Sequence, residues 1–368
     1  MNHPQLTVRG VRARILKVPM QRPLGTSATL MATAPFLLVD LYTEEGITGR
    51  AHAFCYLDLA APMMRNVVEA AGELIGGAPL EPERIARTCR DRFALLGVHG
   101  VVAMAVSALD VACWDALSRA AELPLGRYLG GVAETLPGYN SNGLSIASGD
   151  VDPGAVAEEA NALLASGFDA LKIRLGRRDP REDLRAVRAA RSAIPPECRL
   201  MSDYNQALSV PDALERGRSL EDEGLYWIEE PIAHDDLVGS SVVAEALRTP
   251  IQTGENFYGP DVLSTAIASS AMDYVMVDLM RIGGVSGWLR AATLAEKARM
   301  PMSSHLYPEV SIHLLAATPS AHWLECVDWA EAFVVEPIRI SGGNARVPTG
   351  PGTGVAWDEE ALARYIVE

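Results

Sequence analysis

Asp203, Glu229 and Glu255 recur at equal spacing, with no cysteine or histidine among them. Oxygen donors alone suit Mg²⁺, or Mn²⁺ in its place, better than Zn²⁺ or copper. Asp278, His305 and Glu325 continue at nearly the same spacing. A carboxylate that holds one imidazole nitrogen fixes the tautomer and leaves the other nitrogen as a base near neutral pH, so Asp278 and His305 read as a proton-transfer pair. Lys172 and Arg174 stand two apart, on one face if the segment is a strand. Buried cations need partners, and the carboxylates provide them. Glu229 and Glu230 are neighbours on a strand and point to opposite faces, so only one of them can meet a metal.

Side chains so far apart in sequence act together only if the fold brings them together. Each lies at the polar end of a short apolar run, at residues 170–175, 200–203, 226–230, 251–255, 274–278, 302–306 and 322–326. Helical segments separate the runs. Asp152-Pro153 caps one of them, Ala155, Val156, Ala160, Leu163 and Leu164 give it an apolar face, and Ser166-Gly167 stops it. Strands alternating with helices build a parallel sheet, and in a (β/α) barrel all C-terminal strand ends surround one mouth. One acid at a strand end can simply face water. Asp203 and five further ionisable side chains in phase with it are hard to explain that way.

The N-terminal part of the chain reads differently, as α+β with strands expected at residues 7–18, 35–42 and 48–54 and a turn at Glu44-Glu45-Gly46. Residues 19–34 read as a loop too long for an ordinary hairpin, a length typical of lids. The 368 residues, 49% hydrophobic and 21% charged, fit a globular fold with a substantial core. A net charge of −15 without a Lys/Arg block excludes nucleic-acid and anionic-membrane partners. The five cysteines form no Cys-x-x-Cys pair, and no apolar leader or charge-free span is evident. A cytoplasmic location is the expectation.

Several motifs together resemble the enolase superfamily and, within it, the mandelate racemase group. They are Ser202-Asp203-Tyr204-Asn205-Gln206, Trp227-Ile228-Glu229-Glu230-Pro231, Gly254-Glu255-Asn256, Arg281-Ile282-Gly283-Gly284-Val285, Met302-Ser303-Ser304-His305-Leu306 and His322-Trp323-Leu324-Glu325. The resemblance implies an α/β fold, a (β/α)7β modified TIM barrel over residues 134–345. An α+β cap would be formed by residues 1–133 and by a returning tail, 346–368. It further implies that Asp203, Glu229 and Glu255 ligate Mg²⁺, which with Lys172 binds the carboxylate of a small acid and neutralises an enediolate. His305 with Asp278 would be a base on one face. Glu325, if buried and protonated, would hydrogen-bond the carboxylate, with Ser141 and Asn205 in support. Leu24, Ala28, Leu30 and Met31 of the lid, with Phe54 and Tyr56, would line an apolar pocket, and a homo-oligomer, often an octamer, is implied.

One residue departs from the family pattern. The usual Lys-x-Lys supplies a second base, but here the motif is Lys172-Ile173-Arg174, and a guanidinium with a pKa above ~12 rarely deprotonates. Two readings follow: an α-hydroxy-acid racemase with a compromised second face, or an acid-sugar dehydratase in which His305 serves as both base and acid. A third, a non-catalytic metal- and carboxylate-binding sensor, is disfavoured by the intact base pair. The apolar lining favours an apolar α-hydroxy acid over a sugar acid, although Thr26, Ser27 and Thr29 offer hydroxyls.

Overall fold

The computed structural model describes residues 4–146 and 150–367; residues 1–3, in the expected cap, 147–149 and 368, the last of the expected tail, lie outside the described residues. The chain opens with three antiparallel strands, β1 (Val8–Gly25), β2 (Leu30–Thr43) and β3 (Thr48–Phe54). Three helices follow, α1 (Ala60–Ile75), α2 (Pro82–Arg92) and α3 (Gly100–Ala120). Helix α3 is apolar enough to cross a membrane, yet 83% of its most apolar stretch is buried within the fold, so it is a core helix. It lies so close to β3 that a Cβ on Gly49 would stand 2.0 Å from the Ala112 carbonyl oxygen.

A short helix α4 (Leu125–Tyr128) leads into β4 (Thr135–Asn140) and then into alternating units: α5 (Pro153–Leu164), β5 (Ala170–Arg174), α6 (Pro180–Ala193), β6 (Arg199–Asp203), α7 (Val210–Leu220), β7 (Leu225–Glu229), α8 (Leu237–Ala246), β8 (Ile251–Thr253), α9 (Pro260–Ala268) and β9 (Tyr274–Asp278). After α10 (Leu279–Ile282) and α11 (Gly284–Ala298) come β10 (Met302–His305), α12 (Pro308–Ala316) and β11 (Leu324–Cys326). Each strand from β4 to β10 pairs in parallel with the next. Strand β11 pairs with β4, and β10 bonds the residues just before β11, where Ser304 N–H donates to the Trp323 carbonyl at 3.0 Å. The ring is therefore closed. No helix follows β11 among the described residues until the tail, giving the (β/α)7β arrangement.

The helix starts follow from local chemistry. Asp152 accepts hydrogen bonds from the Gly154 and Ala155 N–H groups and caps α5. Asp179, Ser209 and Asp236 cap α6, α7 and α8 in the same way. The tail runs back over the structure through β12 (Ile340–Ser341), β13 (Asn344–Arg346), α13 (Glu359–Tyr365) and β14 (Ile366–Val367). Strand β14 pairs with β1, while Trp357 Nε1 and Arg14 Nη2 both reach the Asp40 carboxylate, at 2.7 and 2.9 Å.

The long loop expected at residues 19–34 is instead mostly hairpin. Strands β1 and β2 stay paired to Gly25 and Leu30, leaving only a short turn between them, with one irregularity between Pro19 and Leu24. Pro19 and Pro23 lack the N–H that a ladder needs, which interrupts the register without ending it. The hairpin tip is seated on the barrel: Ile146 N–H donates to the Gly25 carbonyl at 2.9 Å, and Ser27 Oγ to the Tyr204 carbonyl at 3.0 Å.

Candidate active site

Asp203 and Glu229 end β6 and β7, and Glu255 lies two residues beyond β8. The step to Glu255 passes through Gly254 at φ +129°, where a Cβ would meet the Met276 carbonyl oxygen at 2.5 Å. Only glycine allows that path. One oxygen from each of the three buried carboxylates lies within 4.8 Å of the others. Such a cluster needs a cation. Glu255 Oε2 is buried without a hydrogen-bond partner, as are Glu230 Oε1 and Asn205 Oδ1 nearby. A compact, all-oxygen, partly unsatisfied donor set fits a hard divalent ion. The choice between Glu229 and Glu230 is visible in the geometry: Glu230 turns aside to accept from Asn256 Nδ2 at 2.7 Å. Burial pushes both carboxyls well above their ordinary range, with Lys172 pulling Glu229 back down.

Lys172 Nζ sits 2.6 Å from Glu229, 2.8 Å from Glu325 and 3.4 Å from Asp203. Burial opposes its charge, but these acids outweigh burial and raise its pKa. Arg174, on the same strand, turns toward the loop after β4: it donates to Ser141 Oγ at 3.0 Å and to the Gly143 carbonyl at 3.2 Å, and its Nε is buried without a partner. Ser141 thus receives Arg174, and Asn205 donates to Asp203 at 2.8 and 3.0 Å through its backbone and side chain.

His305 ends β10 beside the end of β9, and its Nδ1 lies 2.7 Å from Asp278 Oδ2. The other Asp278 oxygen accepts from the Met280 and Arg281 N–H groups. Nε2 faces the carboxylates, 3.3 Å from Glu255 and 4.0 Å from Glu325. Burial works against protonating His305, yet Glu255, Glu325 and Asp278 prevail and raise its pKa. Glu325, expected as a protonated donor, instead accepts through both oxygens, from Lys172 Nζ and from the Leu306 N–H, each at 2.8 Å. Burial favours its protonated form, but Lys172, His305 and the Leu306 N–H together hold it below the ordinary carboxylate range.

Of the expected wall, Leu24 and Phe54 are buried, and Met31 and Tyr56 are half-buried. Phe54 packs between Tyr56 and Trp329, with ring centroids 4.6 and 4.9 Å away. Ala28 and Leu30 do not join it; Leu30 is 73% exposed at the hairpin turn. Of the lid hydroxyls, Ser27 is engaged on the Tyr204 carbonyl and Thr26 within the turn. Sequence reasoning assigned no role to Trp329, Tyr307, whose hydroxyl accepts from Phe54 N–H, or Arg281, which donates to the Glu255 carbonyl at 3.1 Å. Arg281 follows closely after Asp278, and a charge so close behind a strand end was the available signal.

Residues 155–361 match the family model described as enolase C-terminal domain-like, and residues 10–130 match the mandelate racemase / muconate lactonizing enzyme N-terminal domain. The chain belongs to the enolase superfamily, in the mandelate racemase group. It is similar to the 3,6-anhydro-alpha-L-galactonate cycloisomerase of Streptomyces coelicolor, 30% identical over 98% of this chain and 99% of that protein. The L-talarate/galactarate dehydratase of Salmonella typhimurium is 28% identical over 96% and 90%. Among solved structures, an enolase from Bradyrhizobium complexed with magnesium and mandelic acid superposes with a TM-score of 0.93, at 38% identity and 99% coverage of both chains. A magnesium-bound enolase from the alphaproteobacterium BAL199 reaches 0.95 at 41% identity, covering 98% of this chain and all of that one.

Proposed function

We propose that this enzyme removes the α-proton of a small α-hydroxy carboxylate with an apolar substituent, using His305 as the base and Mg²⁺ as the essential cation. The observation that carries this reading is the Asp278–His305 pair at 2.7 Å, whose Nε2 opens onto the three-carboxylate cluster. Asp203, Glu229 and Glu255 would hold the cation. A divalent ion there supplies positive charge beside the substrate carboxylate, which acidifies the adjacent C–H and favours the enediolate.

The remaining steps belong to the protein's own side chains. Lys172 Nζ binds a carboxylate oxygen of the substrate. Asp278 keeps a proton on His305 Nδ1, so Nε2 is free to accept the α-proton and to return it. Glu325, bonded to Lys172 and the Leu306 N–H, holds Lys172 in the lumen and balances the imidazolium once it forms. Leu24, Met31, Phe54 and Tyr56, with Trp329, exclude water from the apolar substituent. A known mandelate complex of a 38% identical relative supports this substrate class.

Arg174 supports a second reading. Tied to Ser141 and Gly143 where the family pattern has its second lysine, it leaves one base, as in acid-sugar dehydration, where His305 would also protonate the departing β-hydroxyl. A dehydratase among the relatives adds support. Apolar α-hydroxy acids and acid sugars incubated with Mg²⁺ in D₂O separate the two. The proposal expects α-deuterated hydroxy acid; a 2-keto acid product, formed only from sugar acids, would establish dehydration instead.

A further inference from the structure

The base pair is held from the cap as well as from the barrel. Tyr56 lies just past β3 with φ +61°, and the Leu57 N–H closes onto the Cys55 carbonyl at 2.6 Å around it. A bulky residue at the centre of such a tight turn, in the left-handed region, is strained, and strain of this kind persists only where surrounding structure enforces it. The turn carries the phenol across the seam between cap and barrel. Its hydroxyl donates to Asp278 Oδ2 at 3.3 Å, the same oxygen that pairs with His305 Nδ1. The Arg281 guanidinium stands 4.6 Å from the centre of the Tyr56 ring, and also donates to the backbone of Glu255.

We propose that Tyr56 is a positioning residue for His305, completing the Asp278 hydrogen-bond set from the cap; this rests on His305 being the base. Asp278 has four donors around it: the Met280 and Arg281 N–H groups on Oδ1, and His305 and Tyr56 on Oδ2. Three come from the barrel. Only the fourth depends on the β3 turn being seated, so docking of the cap and alignment of the base are one event. A residue that merely walls a pocket needs a ring. It needs neither a hydroxyl on the dyad carboxylate nor a strained turn to deliver it.

Tyr56→Phe keeps the ring and removes the hydroxyl. For the α-deuterium exchange reaction, kcat should fall about fivefold, the effect of losing one hydrogen bond in the aligned state. KM should stay within about twofold, since the pocket wall is kept. Mg²⁺ affinity should not change. Tyr56→Leu, which also removes the ring, should raise KM as well. A second readout needs no turnover: in protein labelled with ¹⁵N-histidine, the His305 Nδ1–H resonance, identified by its loss in His305→Asn, should move in Tyr56→Phe. An unmoved resonance, a wild-type kcat, or a change confined to KM would each overturn the assignment. If no substrate exchanges at all, the proposed function fails, and the resonance alone decides the role of Tyr56.

Discussion

In the proposed reaction the stereochemical course turns on Arg174. Its guanidinium is spent on Ser141 and Gly143, where the family pattern has a lysine. Wild-type protein should therefore exchange deuterium into one enantiomer much faster than it interconverts the two. Arg174→Lys places a titratable amine on β5 two residues from Lys172, a neighbouring cation that lowers lysine's pKa. Racemisation relative to single-face exchange should rise by roughly tenfold, below the ~10²–10⁴ of a well-placed base, because lysine cannot keep both anchoring contacts. Chiral chromatography of timed samples reads the ratio; equal exchange on both faces in the wild type would make Arg174 a working base. Glu255→Gln should weaken Mg²⁺ binding, measured calorimetrically, by more than the ~10–100-fold typical of outer-shell partners. At this scale the sequence was informative because ionisable residues ending apolar runs are unusual. It did not reveal the pairing of Glu325 with Lys172, which arrives from β5, a strand remote in sequence.

Among the elements, β8 shows how a strand too short for its task is extended. It ends at Thr253, and the chain then bends so that Glu255 meets the other carboxylates. Gly254→Ala would need a φ of +129° and a Cβ inside the Met276 carbonyl contact. The expected result is a loss of ~1–3 kcal/mol of stability and a measurable fall in Mg²⁺ affinity, read by denaturant titration and calorimetry. Unchanged affinity would mean that Glu255 does not need this path to reach the cluster. Strand periodicity was legible because each run is apolar and closes on a polar residue. The hairpin at residues 19–34 was not, because two prolines interrupt its pattern and its tip is seated on Ile146 and Tyr204, distant in sequence.

The whole molecule is bound together by buried polar contacts between its parts. His313, on α12, accepts from the Gly126 N–H through Nδ1 at 3.3 Å and donates from Nε2 to the Thr353 carbonyl at 3.1 Å. The bond from Gly126 needs an unprotonated Nδ1, and burial lowers the ring's pKa to about 4. The unfolded chain takes up that proton near the ordinary value of 6.5, so stability is full above about 6.5 and is lost as pH falls toward 4. The loss reaches about 3 kcal/mol. Thermal unfolding midpoints across that window should fall, and His313→Asn should be less stable near neutral pH but show a shallower slope. An identical slope would assign the pH dependence to other groups. The barrel was readable from its repeat, since each βα unit is locally encoded. The tail's return was expected from family resemblance alone, since Trp357 and β14 come from the far end of the chain to meet Asp40 and β1.

In the proposed function His305 takes the α-proton in a metal-dependent step. Its most direct test is α-proton exchange of a single enantiomer of an aryl or branched α-hydroxy acid in D₂O, followed by NMR for wild-type and His305→Asn proteins, with Mg²⁺ and with chelator. Exchange should occur only in wild-type protein with Mg²⁺, while His305→Asn still binds the ion with near wild-type affinity. Exchange that persists in chelator, or in His305→Asn with Mg²⁺ bound, would contradict it.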